Sequence, residues 1–308
     1  MRFQGGILNK IIDIVATGSG QDFQTLKHSI ATLQNQDFHP RHSPLIFQDD
    51  PLYSAPDSVR LKNFVDALRA EDSQIIWSER GGCGTKRLLP HLELIPSPKN
   101  PKTMIGFSDV TALLIFVTQK WGWQGIHGPT LNYFTQNRLR PDIREMMFAL
   151  CRGEKVQVVH DQLIPLNIHG ETVENLEAPI TGGNLSVLEY SIGTSWQIRT
   201  AGHFLFFEDI DEMPYRIAER LDHFDQAGLL RNVQGIFFGD FSHQKTPPNQ
   251  ELLNYVLKDF ASKQPCPVFS NLQCGHFDQN LPIGIGQAAT LRPSENGTFT
   301  LTQDLLIL

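Results

Sequence analysis

Along the first 135 residues two hydrophobic periods take turns. Short, nearly continuous apolar runs are separated by stretches in which apolar residues recur every three or four positions. That alternation predicts strands of a parallel sheet joined by covering helices. Residues 11–16 (IIDIVA) read as the first strand, followed by the turn Thr17-Gly18-Ser19-Gly20 and a helix over 22–34. A second helix is predicted over 58–70, with Val59, Phe64, Val65 and Leu68 at core-like spacing. Strands are predicted at 74–79 (QIIWSE) and 102–107 (KTMIGF), and DVTALLIFVTQKWG after the latter reads as a helix ending near Gly122.

The pattern loses its period between 136 and 178, where mixed charges and the polar stretch HDQLIPLNIHGETVENLE suggest a crossing between two domains. Beyond it, β-type runs at 203–209 (HFLFFED) and 235–241 (GIFFGDF) lie between helices expected near 212–228 and 249–263. The fold class expected is therefore α/β. A flavodoxin-like or Rossmann-like parallel-sheet domain spans 1–135, and an α+β domain with substantial β content spans 179–308. A length of 308 residues suits two domains, because single cores stop growing near about 250 to 300 residues.

Composition narrows the partners. Hydrophobic residues at 40% and charged residues at 19% are those of a globular chain able to bury large cores. A net charge of −7, from 26 basic and 33 acidic residues, provides no basic field for a phosphate backbone, so nucleic acid is not an expected partner. The first twenty residues lack the order of a signal peptide, and no run approaches the roughly 18 apolar residues of a membrane span. Cys83, Cys151, Cys266 and Cys274 are far apart and form no CxxC pair; four reduced thiols in a cytoplasmic protein are expected. No HExxH or clustered ligand set implies a metal, and no cofactor is expected.

Ser108, in Gly106-Phe107-Ser108-Asp109, falls at a bend between a strand and a helix. The hydroxyl would then sit at the carboxyl edge of the sheet, where open α/β sheets bind ligands, beside unpaired helix N–H groups suited to a developing oxyanion. An ordinary helix cap is the plainer reading of this position alone. Val110 occupies the last place of what would otherwise be a G-x-S-x-G elbow, so the α/β-hydrolase fold gains no support. RGGCGTKRLLP at 80–90 places Gly81, Gly82 and Gly84 directly after a strand without either nucleotide-binding spacing. A tight turn accounts for it, and an oxyanion donor from Gly82 is the sharper alternative. Glu208 closes an apolar strand, where a carboxylate is costly unless paired, for example with an imidazole. His276, in a turn-rich loop, and His127, in an HGP turn, are rival partners, and sequence spacing does not decide between them.

Seven segments in order resemble the serine LD-carboxypeptidase family, which includes murein tetrapeptide carboxypeptidases and microcin C-degrading immunity peptidases. They are RGGCGTKRLLP (80–90), GFSDVTALL (106–114), HGPTL (127–131), GGNLSVLEYSIGTSW (182–196), FFEDIDEMPYRIAERL (206–221), GIFFGDF (235–241) and GHFDQNLPIG (275–284). The resemblance, spanning residues 55 to 290 or so, implies Ser108 as nucleophile, Glu208 as the acidic member and His276 as the base. It also implies oxyanion donors from the backbone of Asp109 and Gly82, and a site in the cleft between the domains. The implied substrate is a small muropeptide losing a terminal D-alanine, with a microcin-type amide as the nearest alternative. A homodimer is implied as well. A non-enzymatic reading, a two-domain ligand-binding protein, would not require the serine, glutamate and histidine together. Two departures adjoin the expected cleft. IVATGSG stands where an Ala-Pro-Ser type turn is more common, and Cys83 where an aromatic is more common.

Overall fold

A computed structural model describes residues 10–135, 138–241 and 250–307. In chain order the first half holds β1 (Ile11–Val15), α1 (Phe23–Gln34), β2 (His39–Arg41), α2 (Asp57–Arg69), β3 (Ile75–Ser78), α3 (Leu89–Leu92), β4 (Thr103–Gly106), α4 (Thr111–Trp121), β5 (Gln124–His127), α5 (Leu131–Thr135) and α6 (Pro141–Cys151). The second half holds β6 (Val156–Pro165), α7 (Ile168–Glu171), β7 (Leu176–Asn184), α8 (Leu185–Glu189), β8 (Phe204–Glu208), α9 (Pro214–Gln226), β9 (Gly235–Phe238), α10 (Gln250–Ser262), β10 (Val268–Ser270), β11 (Ile283–Ile285), β12 (Ala288–Pro293) and β13 (Phe299–Leu305). The helix expected from residue 249 begins, within the described residues, at Gln250.

Strands β1 to β5 form a parallel sheet in the order β5-β4-β3-β1-β2, extended beyond β5 by antiparallel β11. The order 2-1-3-4-5 is the flavodoxin-like one, with its switch point between β1 and β3. Local chemistry sets the helix ends: Asp22 accepts from the Thr25 N–H to start α1, and Gly122, left-handed at φ 67°, ends α4. At the switch point the turn after β1 meets the turn after β3, where the Ser19 N–H donates to the Gly81 carbonyl at 3.0 Å.

The second sheet closes into a barrel, β10-β6-β13-β12-β7-β8-β9, in which β7, β8, β9 and β10 run parallel and the remaining pairings are antiparallel. The pairing of β8 with β9 brings together the two apolar runs read from the sequence. Residues 156–165, within the stretch read as a crossing, supply β6, a ten-residue barrel strand between β10 and β13. Its inward residues are Val158, His160 and Leu163. Gln162 stands at φ 55° where the register against β13 shifts between Phe299 and Leu301; this bulge breaks the period-2 pattern.

One hydrophobic cluster spans both sheets, and a second packs the opposite face of the first sheet. Helix α4 is buried on every side from Thr111 to Val117 and packs against both β4 and the barrel strand β7. Contact there is close because Gly183, at φ 139°, has no side chain: a Cβ would lie 2.6 Å from Thr111 Cγ2. The Asn184 N–H donates to Thr111 Oγ1 at 3.2 Å, fixing the end of β7 on the first turn of α4. Among the described residues, no helix is long and apolar enough to cross a membrane.

Candidate active site

Ser108 lies two residues past the end of β4 and holds φ 61°, a left-handed backbone that a non-glycine residue adopts at a cost. Phe107 before it is extended, and a short 3-10 turn over Ser108–Val110 leads into α4. The bend lifts the half-buried serine off the sheet edge toward the glycine-rich turn. Gly81 makes that approach possible, since a Cβ there would stand 2.9 Å from Ser108 Cβ and 3.1 Å from its Oγ. Sequence reasoning singled out Gly82 in this turn. Gly82 is left-handed at φ 89°, and its N–H donates to no group among the described residues.

Asp109 is buried. Its carboxylate accepts the Thr85 N–H at 2.8 Å, so the residue after the serine ties down the far end of the glycine-rich turn. Burial pushes its pKa up, only partly opposed by that hydrogen bond.

The barrel side of the molecule brings Glu208 and His276 together. Glu208 ends β8 fully buried, and His276, in the loop between β10 and β11, is nearly so. His276 Nδ1 lies 2.8 Å from Glu208 Oε2, which leaves Nε2 as the ring nitrogen that the glutamate does not engage. The loop is fixed by buried Asn280, whose Oδ1 accepts the Gly275 N–H at 3.1 Å, and by Arg138, which donates to the His276 carbonyl. The imidazole packs on the ring of Phe107, centroid to centroid 4.7 Å, so the residue preceding the serine is also the platform for the histidine. Burial drives the Glu208 pKa upward, but the adjacent His276 and His127 outweigh it and hold the carboxylate low. For His276 burial pulls the pKa down, and the charge and hydrogen bond of Glu208, with Asp209 and Asp240 beyond, raise it overall.

His127 is also present. At the end of β5 it lies fully buried, with Nε2 3.7 Å from Glu208 Oε1, the oxygen not held by His276. Asp209, next to Glu208, accepts from Asn184 Nδ2 and from the Ser186 N–H and hydroxyl, binding the end of β8 to the start of α8. Sequence reasoning gave no role to Phe107, Asn280, Arg138 or Thr111, because only the meeting of the two sheets gives them one.

Family models match both halves of the chain: an LD-carboxypeptidase N-terminal domain over residues 12–128 and an LD-carboxypeptidase C-terminal domain over 177–291. A putative carboxypeptidase of Rickettsia conorii is 36% identical over 279 residues, covering 89% of this chain and 85% of the relative. The murein tetrapeptide carboxypeptidase of Pseudomonas aeruginosa is 27% identical over 236 residues, 75% of this chain and 76% of that protein. The crystal structure of muramoyltetrapeptide carboxypeptidase from Oxalobacter formigenes superposes with a TM-score of 0.80 at 24% identity, covering 95% of this chain and 98% of that one.

Proposed function

The chain belongs to the LD-carboxypeptidase family of serine carboxypeptidases, and from that premise we propose that it releases D-alanine from a murein tetrapeptide during peptidoglycan recycling. The bond cleaved joins an L-configured centre to a C-terminal D-amino acid, and the working residues are Ser108, His276 and Glu208. The observation that carries this reading is the buried Glu208–His276 hydrogen bond, set against the ring of the residue that precedes Ser108.

The steps follow from the chemistry of the three groups. His276, through Nε2, accepts the Ser108 proton as Oγ attacks the scissile carbonyl. Glu208 holds the Nδ1–H tautomer and stabilises the imidazolium that forms. The tetrahedral oxyanion is met by the N–H groups of Asp109 and Gly82, where loss of one donor typically costs about 100- to 1,000-fold in rate. The imidazolium then protonates the departing D-alanine amine. Water, activated by the same histidine, hydrolyses the acyl-enzyme.

Purified wild type and Ser108→Ala are incubated with the tetrapeptide ending in D-alanine, and release is followed by mass spectrometry. Release by the wild type alone is expected. Equal release by both removes Ser108 as nucleophile, and release by neither removes the murein tetrapeptide as substrate.

A further inference from the structure

Behind the glutamate lies a second buried histidine that the mechanism above does not use. Glu208 is fully buried, and of its two oxygens Oε2 meets His276 while Oε1 has no hydrogen-bond partner among the described residues. His127 Nε2 faces that oxygen at 3.7 Å, longer than a hydrogen bond and within ion-pair reach. The His127 ring is held edge-on between Phe107, with centroids 5.9 Å apart, and Phe206, 5.1 Å apart. Its backbone is locked between β4 and β11 by pairing with Gly106 and Ile283. Neither ring nitrogen has a hydrogen-bond partner among the described residues. A buried polar ring so placed costs stability unless it interacts with something, and the carboxylate is the ionised group set against it.

We infer that His127 is a positioning residue for Glu208, offering an N–H to Oε1 while His276 holds Oε2. The inference rests on the triad reading given above. A shift of a few tenths of an ångström brings the N–H within hydrogen-bond range. The carboxylate is then gripped at both oxygens, which stops it turning and reduces its basicity. When His276 takes the serine proton, the proton on Nδ1 accordingly stays on the imidazole rather than passing to Glu208.

Among the described residues, other titratable groups adjoin this pair. His160, projecting inward from β6, lies behind His127, and burial followed by the neighbouring imidazole pushes its pKa down to about 3, so it stands neutral. Among the described residues, the other titratable groups acting on Glu208 or its partner are His276, Asp209 beside it, Asp240 after β9, and Cys274 and Tyr133, both raised first by burial.

Two substitutions separate positioning from packing. His127→Phe keeps a buried ring and removes the donor, whereas His127→Gln keeps a terminal N–H. With the tetrapeptide as substrate, His127→Phe is expected to lower kcat by about 10- to 100-fold with KM unchanged, as for loss of one hydrogen bond to a charged group. The acid limb of kcat/KM should move to higher pH, because a more basic Glu208 pulls harder on the His276 proton. His127→Gln should recover most of kcat and return the limb. If both variants keep the wild-type kcat and limb, or if Gln is no better than Phe, positioning is overturned. In the wild type, the long-range 1H–15N histidine spectrum should show a proton on His127 Nε2. A tautomer protonated only at Nδ1 overturns the inference whether or not either variant folds. The triad reading is tested separately by Ser108→Ala: retained turnover there removes the premise, whereas silent His127 variants with an inactive Ser108→Ala remove only the inference.

Discussion

The two halves of the site are built by different physics. On the sheet side, Ser108 is placed by backbone geometry: a left-handed φ, the absence of a side chain at Gly81, and the start of a buried helix. On the barrel side, Glu208 and His276 are placed by charge in a dry interior, each changing the proton affinity of the other. Substitutions around Ser108 and the glycine-rich turn should therefore act through shape and be indifferent to pH, unlike those at His127, the sheet residue that faces Glu208. Those on the barrel side should act through charge and move pH profiles.

Glu208→Gln should show the largest contrast. A carboxamide keeps the volume but not the charge, and the loss expected is about 1,000- to 10,000-fold in kcat, as when the orienting acid of a serine triad is neutralised. The acid limb of kcat/KM, which on the proposed mechanism reports the raised His276 pKa, should move down in pH. Stability gives a second readout. The lowered Glu208 pKa contributes stability that is present above about pH 4.3 and lost as pH falls through the folded value. The raised His276 pKa contributes stability present below about pH 6.5 and lost as pH rises through its folded value. The variant's deficit in thermal unfolding should accordingly be greatest between those limits. A uniform deficit at all pH values would mean that the pair acts by packing alone.

On the sheet side the corresponding test is Gly81→Ala. The added methyl meets Ser108 at its own Cβ and Oγ, and the serine must shift. Because a misplacement on the order of 1 Å costs on the order of 100-fold in rate, kcat should fall by that amount with the pH limb unmoved. A shifted limb would show that the glycine-rich turn also controls the charge of His276, and the division between the halves would fail.

This division explains what was legible in the chain. The strand, bend and helix around Ser108 follow from local pattern, and β8 ending at Glu208 follows from an apolar run closed by a carboxylate. The choice between His276 and His127 did not follow from spacing; the resemblance favoured His276. The structure puts both imidazoles against Glu208, one on each oxygen, a relation that exists only after β5 and β8 meet. Strand β6 was illegible because the bulge at Gln162 breaks its alternation and its inward residues include a histidine. Strand β11 was hidden for another reason: three residues from the far end of the chain complete the sheet of the first half.

The smallest effect sharpens the contrast most, because it repeats the carboxylate-to-carboxamide change on the other side. Asp109 is buried like Glu208, but it accepts a backbone N–H, that of Thr85, and burial outweighs the pull of Lys86 and Arg60 and raises its pKa. The carboxamide oxygen introduced by Asp109→Asn would accept the same N–H, so this variant should stay within about threefold of wild-type kcat, a difference below about 0.7 kcal/mol. Asp109→Ala removes the acceptor, leaves the Thr85 N–H buried without a partner, and should cost about 1 to 3 kcal/mol in unfolding free energy. Steady-state kinetics and denaturant unfolding on the two variants check this. If Asp109→Asn lost as much activity as Glu208→Gln, the carboxylate after the serine would be acting through its charge, and the sheet half of the site could no longer be described by shape alone.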